Sequence, residues 1–226
     1  MIIANGKPIE EVLKSIEGQK KVTVLGCRGC VTVCLAGGEK EVGILSSQIR
    51  MAREQAGQPI EVLEGTVERQ CDYEYFEQVK DIIVDSEAVI SIACGVGVQG
   101  IAETFPDKIV YPGLNTMFMG ANLNVGVWSE RCQGCGNCVL EITGGVCPIA
   151  RCSKSLMNGP CGGSQNGKCE ISKDVDCGWQ LIHDRLSKIG RVDSLRTILP
   201  AKDWSTSRDG GPRKLVREEL QLESGN

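Results

Sequence analysis

Eight cysteines stand between Cys132 and Cys177, and their spacing is the chemistry this chain advertises. Cys132, Cys135 and Cys138 form a C-x2-C-x2-C run, and Cys147-Pro148, Cys152, Cys161, Cys169 and Cys177 follow. Three thiols at that spacing with a later Cys-Pro is the pattern by which bacterial ferredoxins hold [4Fe–4S] clusters. One tight loop brings three thiolates around one cubane, and its glycines let backbone approach sulfur. Eight thiols suffice for two four-coordinate sites. Zinc accepts four thiolates equally well, so clusters in some sites with zinc in one is an open alternative. Spacing alone does not assign which thiols share a metal, because a Cys-Pro thiol such as Cys147 can serve the other cluster.

A disulfide framework is the competing reading, and it belongs to secreted chains. Met1–Glu11 has no apolar core of an export signal and carries acids early. Thirteen cysteines without such a signal point to metal and to the cytoplasm. The uncharged run Ala88–Ala102 is broken by glycines and too short to span a bilayer. A net charge of −4 argues against a nucleic-acid partner. The lone His183 shares a helical stretch with Trp179, Ile182, Leu186 and Ile189 and reads as a surface or packing residue. No Ser-His-Asp, Cys-His or paired-carboxylate arrangement stands out, so no catalytic residue is expected.

The elements that must position these thiols divide the chain in three. Residues 1–128 read as an α/β domain. Ile9, Val12, Leu13 and Ile16 repeat at helical spacing. Short apolar runs at Lys21–Gly26, Ile60–Leu63, Ala88–Ala93 and Lys108–Tyr111 read as strands. Helices are expected between them, one capped by Ser46-Ser47 and one over Tyr75–Val84. Such alternation implies a parallel sheet with helices on both faces. Cys27, Cys30, Cys34, Cys71 and Cys94 then fall at the carboxyl edge of that sheet, where open α/β folds place ligands. Four of the five are expected to form a third metal site, the remainder being ordinary core.

Gly95-Val-Gly97-Val-Gln-Gly100 follows the third strand and matches a dinucleotide turn, but no acid stands some twenty positions on. It reads instead as a turn that lets backbone approach a metal beside Cys94. Gly162–Cys169 resembles a Walker A frame without a preceding strand and reads as a metal loop. Residues 129–190 read as a small cysteine-rich domain; its stretch Ser129–Gly178 is poor in large apolar side chains and rich in glycine, so metal coordination must supply much of its folding free energy. Residues 191–226, with Pro200, Trp204, Gly210-Gly211-Pro212, Leu215 and Val216, read as an extended arm that docks on a partner.

The run Glu130–Cys152, then Leu156-Met-Asn-Gly-Pro-Cys-Gly-Gly-Ser164 and Gly167-Lys-Cys-Glu170, resembles the cysteine-rich methylenetetrahydrofolate reductase C-terminal domain family. The resemblance runs from about Arg131 to near Arg213. It implies an accessory iron–sulfur subunit of the kind found in acetogenic and related anaerobic microbes, with two or more [4Fe–4S] clusters, in one-carbon metabolism of the Wood–Ljungdahl type. The flavin-bearing reductase subunit, a TIM barrel that holds flavin and the folate, would be its partner, and this chain is too short to supply that barrel as well. By the resemblance Cys132, Cys135, Cys138, Cys147, Cys152, Cys161, Cys169 and Cys177 are the C-terminal ligands, and the five earlier cysteines the N-terminal candidates. The expected role is to relay electrons from ferredoxin or another redox module to the flavin that reduces the methylene group to methyl. The alternative is a zinc-holding scaffold of the same complex without a redox role.

Overall fold

The computed structural model describes residues 1–221, so residues 222–226 of the expected arm lie outside the described residues. The chain divides into two units, Met1–Glu130 and Arg131–Asn226.

The first unit is α/β. In chain order it holds β1 (Ile2–Gly6), α1 (Ile9–Ser15), β2 (Lys21–Cys27), α2 (Cys30–Val33), α3 (Glu39–Gln55) and β3 (Glu61–Val67). A 3-10 helix (Tyr73–Val79) then leads into α4 (Lys80–Val84), β4 (Ala88–Ile92), α5 (Gly95–Thr104) and β5 (Ile109–Pro112). Strands β3-β2-β4-β5 form one four-stranded sheet whose neighbours are all parallel, as the alternation of elements implied. Period-two alternation sends successive side chains to opposite faces. Val22 and Val24 meet Val12, Ile16, Val42 and Ile49 of the α1 and α3 side. Leu25 and Val89 meet Phe76, Val79, Ile83 and Ile101 on the other. Helices thus cover both faces.

One expectation is corrected, one is refined, and a sheet that was not expected is present. The helix assigned to a Ser46-Ser47 cap begins seven residues earlier, at Glu39. The Glu41 carboxylate accepts from the Gly38 N–H at 2.9 Å and closes its first turn, while Ser46 is buried in mid-helix and Ser47 Oγ donates to Gly43 O. Tyr75–Val84 is helical only in part as α-helix, its first half being the 3-10 turn. A second sheet, β1-β6-β7, follows β5, with β6 at Leu114–Asn124 and β7 at Val127–Cys132. Antiparallel β1 and β6 place Ile3, Ala4 and Leu114 in the same core as α1 and α3.

The second unit is loop-rich. Its regular elements are α6 (Pro148–Arg151), the two-stranded pair β8 (Lys168–Cys169) and β9 (Ser172–Asp176), and α7 (Gly178–Lys188). Among the described residues its apolar cluster is Cys177, Trp179, Ile182 and Leu186, flanked by Val146, Cys152, Leu156 and Leu195. Among the described residues no helix is long and apolar enough to cross a membrane.

Candidate metal centres

All thirteen cysteines are free thiols. Among the described residues no three His, Cys, Asp or Glu side chains stand grouped so as to hold a metal ion. What the fold supplies is placement of the thiols and polar groups aimed at their sulfurs.

In the second unit several backbone N–H groups point at sulfur. Gly134 N–H reaches Cys132 Sγ at 3.3 Å, Ala150 N–H reaches Cys147 Sγ at 3.4 Å and Gly163 N–H reaches Cys161 Sγ at 3.4 Å. The backbone at Ile171 and the Ser153 hydroxyl hold the Cys169 thiol below its usual range. An N–H directed at sulfur favours the charged thiolate over the thiol, and the thiolate is the metal-binding form. The donor set therefore fits a thiolate-bound metal.

Four of the eight thiols share one place in the structure. Cys152, Cys161, Cys169 and Cys177 line one small cavity of about 10 Å³, with Trp179 and Glu170 in its wall. Cys152 ends α6 and Cys177 caps α7. Gly178 makes that juncture possible, since a Cβ there would lie 2.6 Å from Arg151 O. Trp179 Nε1 donates to Leu156 O at 3.0 Å and fixes the indole over the site. Lys154 pairs with Glu170 beside it and holds that carboxyl below the usual range. Cys132 ends β7, Cys135 and Cys138 follow in the loop that leaves it, and Cys147 caps α6.

The chain after α7 supports that loop, which spacing in the sequence did not reveal. Arg213 Nη1 donates to Gly134 O at 2.7 Å, Thr206 Oγ1 to Cys135 O at 2.9 Å and Lys202 Nζ to Asn137 O at 2.9 Å. Gly136 has a positive φ of 81°, and a Cβ there would sit 2.2 Å from Thr206 O. Asn158 grips the start of this strap through both Leu199 N and Leu199 O. Trp204 is exposed and enters no apolar cluster among the described residues, and Lys202 Nζ stands 5.5 Å from its ring centre. Leu215 and Val216 beyond the strap are exposed. Gly162–Cys169 leads into a two-residue strand, not the helix a phosphate loop requires. His183 is exposed beside Asp184.

In the first unit Cys27 ends β2, Cys30 opens α2, Cys71 follows β3 and Cys94 caps α5 after β4. Cys34 lies in the apolar core that also holds Cys27 and against which Cys94 packs. It is 5% exposed and its thiol faces Ala4 O and Val31 O, inside the core.

An α/β unit followed by a loop-rich unit that carries eight thiols is the class these features define. Residues 111–205 match the family described as Methylene-tetrahydrofolate reductase C terminal. The matched stretch contains all eight cysteines from Cys132 to Cys177 and none of the five before them. No curated protein and no solved structure matches the chain.

Proposed function

We propose that the chain is an iron–sulfur electron-transfer subunit of a methylenetetrahydrofolate reductase complex, of the MetV kind, working in the cytoplasm beside a flavin-bearing MetF-type subunit. The observation that carries this reading is the family likeness of residues 111–205, joined to backbone N–H groups aimed at cysteine sulfur within that stretch. Cys132, Cys135, Cys138 and Cys147 would hold one metal centre, and Cys152, Cys161, Cys169 and Cys177 the other. What an iron–sulfur cluster supplies when bound is one-electron transfer, which links a two-electron flavin to donors such as ferredoxin.

The chain's own residues do the holding and tuning. The N–H groups of Gly134, Ala150 and Gly163 stabilise negative charge on sulfur. Lys202 and Arg213 fix the carbonyls of the first loop and bring two cations beside it. Hydrogen bonds and nearby charge are the levers by which a protein sets a cluster potential. No residue of this chain is assigned acid–base chemistry, and reduction of the folate belongs to the partner.

A second reading keeps zinc at the Cys152, Cys161, Cys169 and Cys177 site. Four thiols around one cavity are a donor set that zinc accepts. Anaerobic mixing of the full chain with the flavin subunit tests the proposal. Flavin reduction by reduced ferredoxin should need this chain, and equal rates with and without it would refute an electron-transfer role.

A further inference from the structure

The five cysteines of the first unit lie outside the matched stretch, and the fold sorts them. β3, β2 and β4 are neighbours in the parallel sheet, so their carboxyl ends lie side by side. Cys27 stands level with Val67 at the end of β3, and Gly26 level with Ile92 at the end of β4. Cys94 is therefore one step beyond Cys27 on the adjacent strand. Cys30 returns one turn after β2, where Cys27 N donates to Gly37 O and Thr32 Oγ1 to Cys27 O.

Cys71 is delivered to the same edge by a buried amide. Gln70 is wholly buried. Its Nε2 donates to Leu25 O at 2.9 Å and Gly26 O at 3.0 Å, and its Oε1 accepts from Ser91 Oγ at 2.6 Å. One side chain thus ties the loop after β3 to both β2 and β4. Cys27 Sγ also faces Glu68 O, at 3.9 Å, in that loop. The glycines of the Gly95–Gly100 motif make the space. A Cβ at Gly97 would lie 2.7 Å from Gln70 Cβ, and one at Gly100 would lie 2.9 Å from Gln70 O. Packing of the Gln70 loop against α5 therefore accounts for the second and third glycines.

We propose that Cys27, Cys30, Cys71 and Cys94 form a four-thiolate site for a soft metal centre, an iron–sulfur cluster or zinc, and that Cys34 is a core residue outside it. Four thiols from four successive segments converge on one sheet edge. Cys30 and Cys71 are exposed, Cys94 is half-buried and Cys27 is buried, so the site has a floor and an open mouth. Soft thiolate sets select zinc or iron–sulfur clusters over hard cations. The inference is independent of the assignment of the C-terminal sites.

The test is iron, zinc and acid-labile sulfide per chain in the full chain purified without oxygen. Cys30→Ser and Cys71→Ser should each lose the content of one whole centre, the same one. Zinc alone falling identifies zinc, and iron falling with sulfide identifies a cluster. Cys34→Ala should lose none. Wild-type content in Cys30→Ser and Cys71→Ser, or an equal loss in Cys34→Ala, would overturn the proposal. Alkylation of the wild-type chain covers the case of variants that do not fold. Cys30 and Cys71 should resist iodoacetamide until the metal is removed, and full labelling of both in the metal-loaded chain would also overturn it. Cys135→Ser with undiminished metal would sink the C-terminal assignment and leave this one standing.

Discussion

The two units face the same task, holding thiols in position, and meet it differently. The first unit builds a scaffold before any metal enters. Two apolar clusters cover the two faces of its sheet, and its cysteines sit where the strands end. The second unit has one small cluster, itself part cysteine, and much of its backbone lies in loops. Burial of apolar surface is the main favourable term in folding, and chain entropy the main cost. By that measure the first unit stands on its own core and the second depends on coordination.

The largest effect should come from removing metal. Chelation or oxidative loss is expected to open residues 131–213 to protease while the sheet of the first unit stays protected. Limited proteolysis before and after treatment reads this directly, and a protected second unit without metal breaks the contrast. Next in size is Cys135→Ser, where oxygen is a poor substitute for a soft thiolate. It should lose one metal centre and slow electron delivery to the flavin subunit, leaving the first unit's melting unchanged.

Gln70→Ala tests the scaffold of the first unit. It removes the hydrogen bonds to Leu25 O and Gly26 O and from Ser91 Oγ and leaves a cavity, so a loss of about 2–4 kcal/mol is expected in urea unfolding. A change under about 1 kcal/mol would show that the Gln70 tie contributes only as much as one ordinary hydrogen bond. The smallest effect concerns the strap. Arg213→Ala removes two hydrogen bonds to carbonyls, about 1–3 kcal/mol of local stability, and should speed loss of metal from the first cysteine loop in air. Truncation after Arg213 should leave that rate unchanged, whereas truncation after Ser205 removes Thr206 and Arg213 and should raise it.

The sheet and its thiols were legible because their signals are local. Val22, Val24, Val89 and Ile90 lie in short apolar runs, and a cysteine just after such a run falls at the carboxyl edge by topology alone. The start of α3 was not legible, because Gly38 has no side chain to announce a cap and Glu41 supplies the acceptor from inside the helix. The β6–β7 ribbon was missed because Asn115, Thr116, Asn122 and Asn124 break the apolar pattern of a strand that is largely exposed. The strap was hidden for a different reason. Arg213 and Gly134 are far apart in sequence, and their hydrogen bond follows no short-range period. Cys34 shows the limit of counting thiols, since only the fold separates it from Cys30.

The central claim is that this chain carries reducible iron–sulfur centres on its cysteine-rich unit. Electron paramagnetic resonance of the full chain, purified without oxygen and reduced with dithionite, tests it most directly. The account predicts a reduced-cluster signal that Cys135→Ser diminishes and Cys34→Ala leaves intact. A colourless chain holding only zinc, silent after reduction, would contradict it.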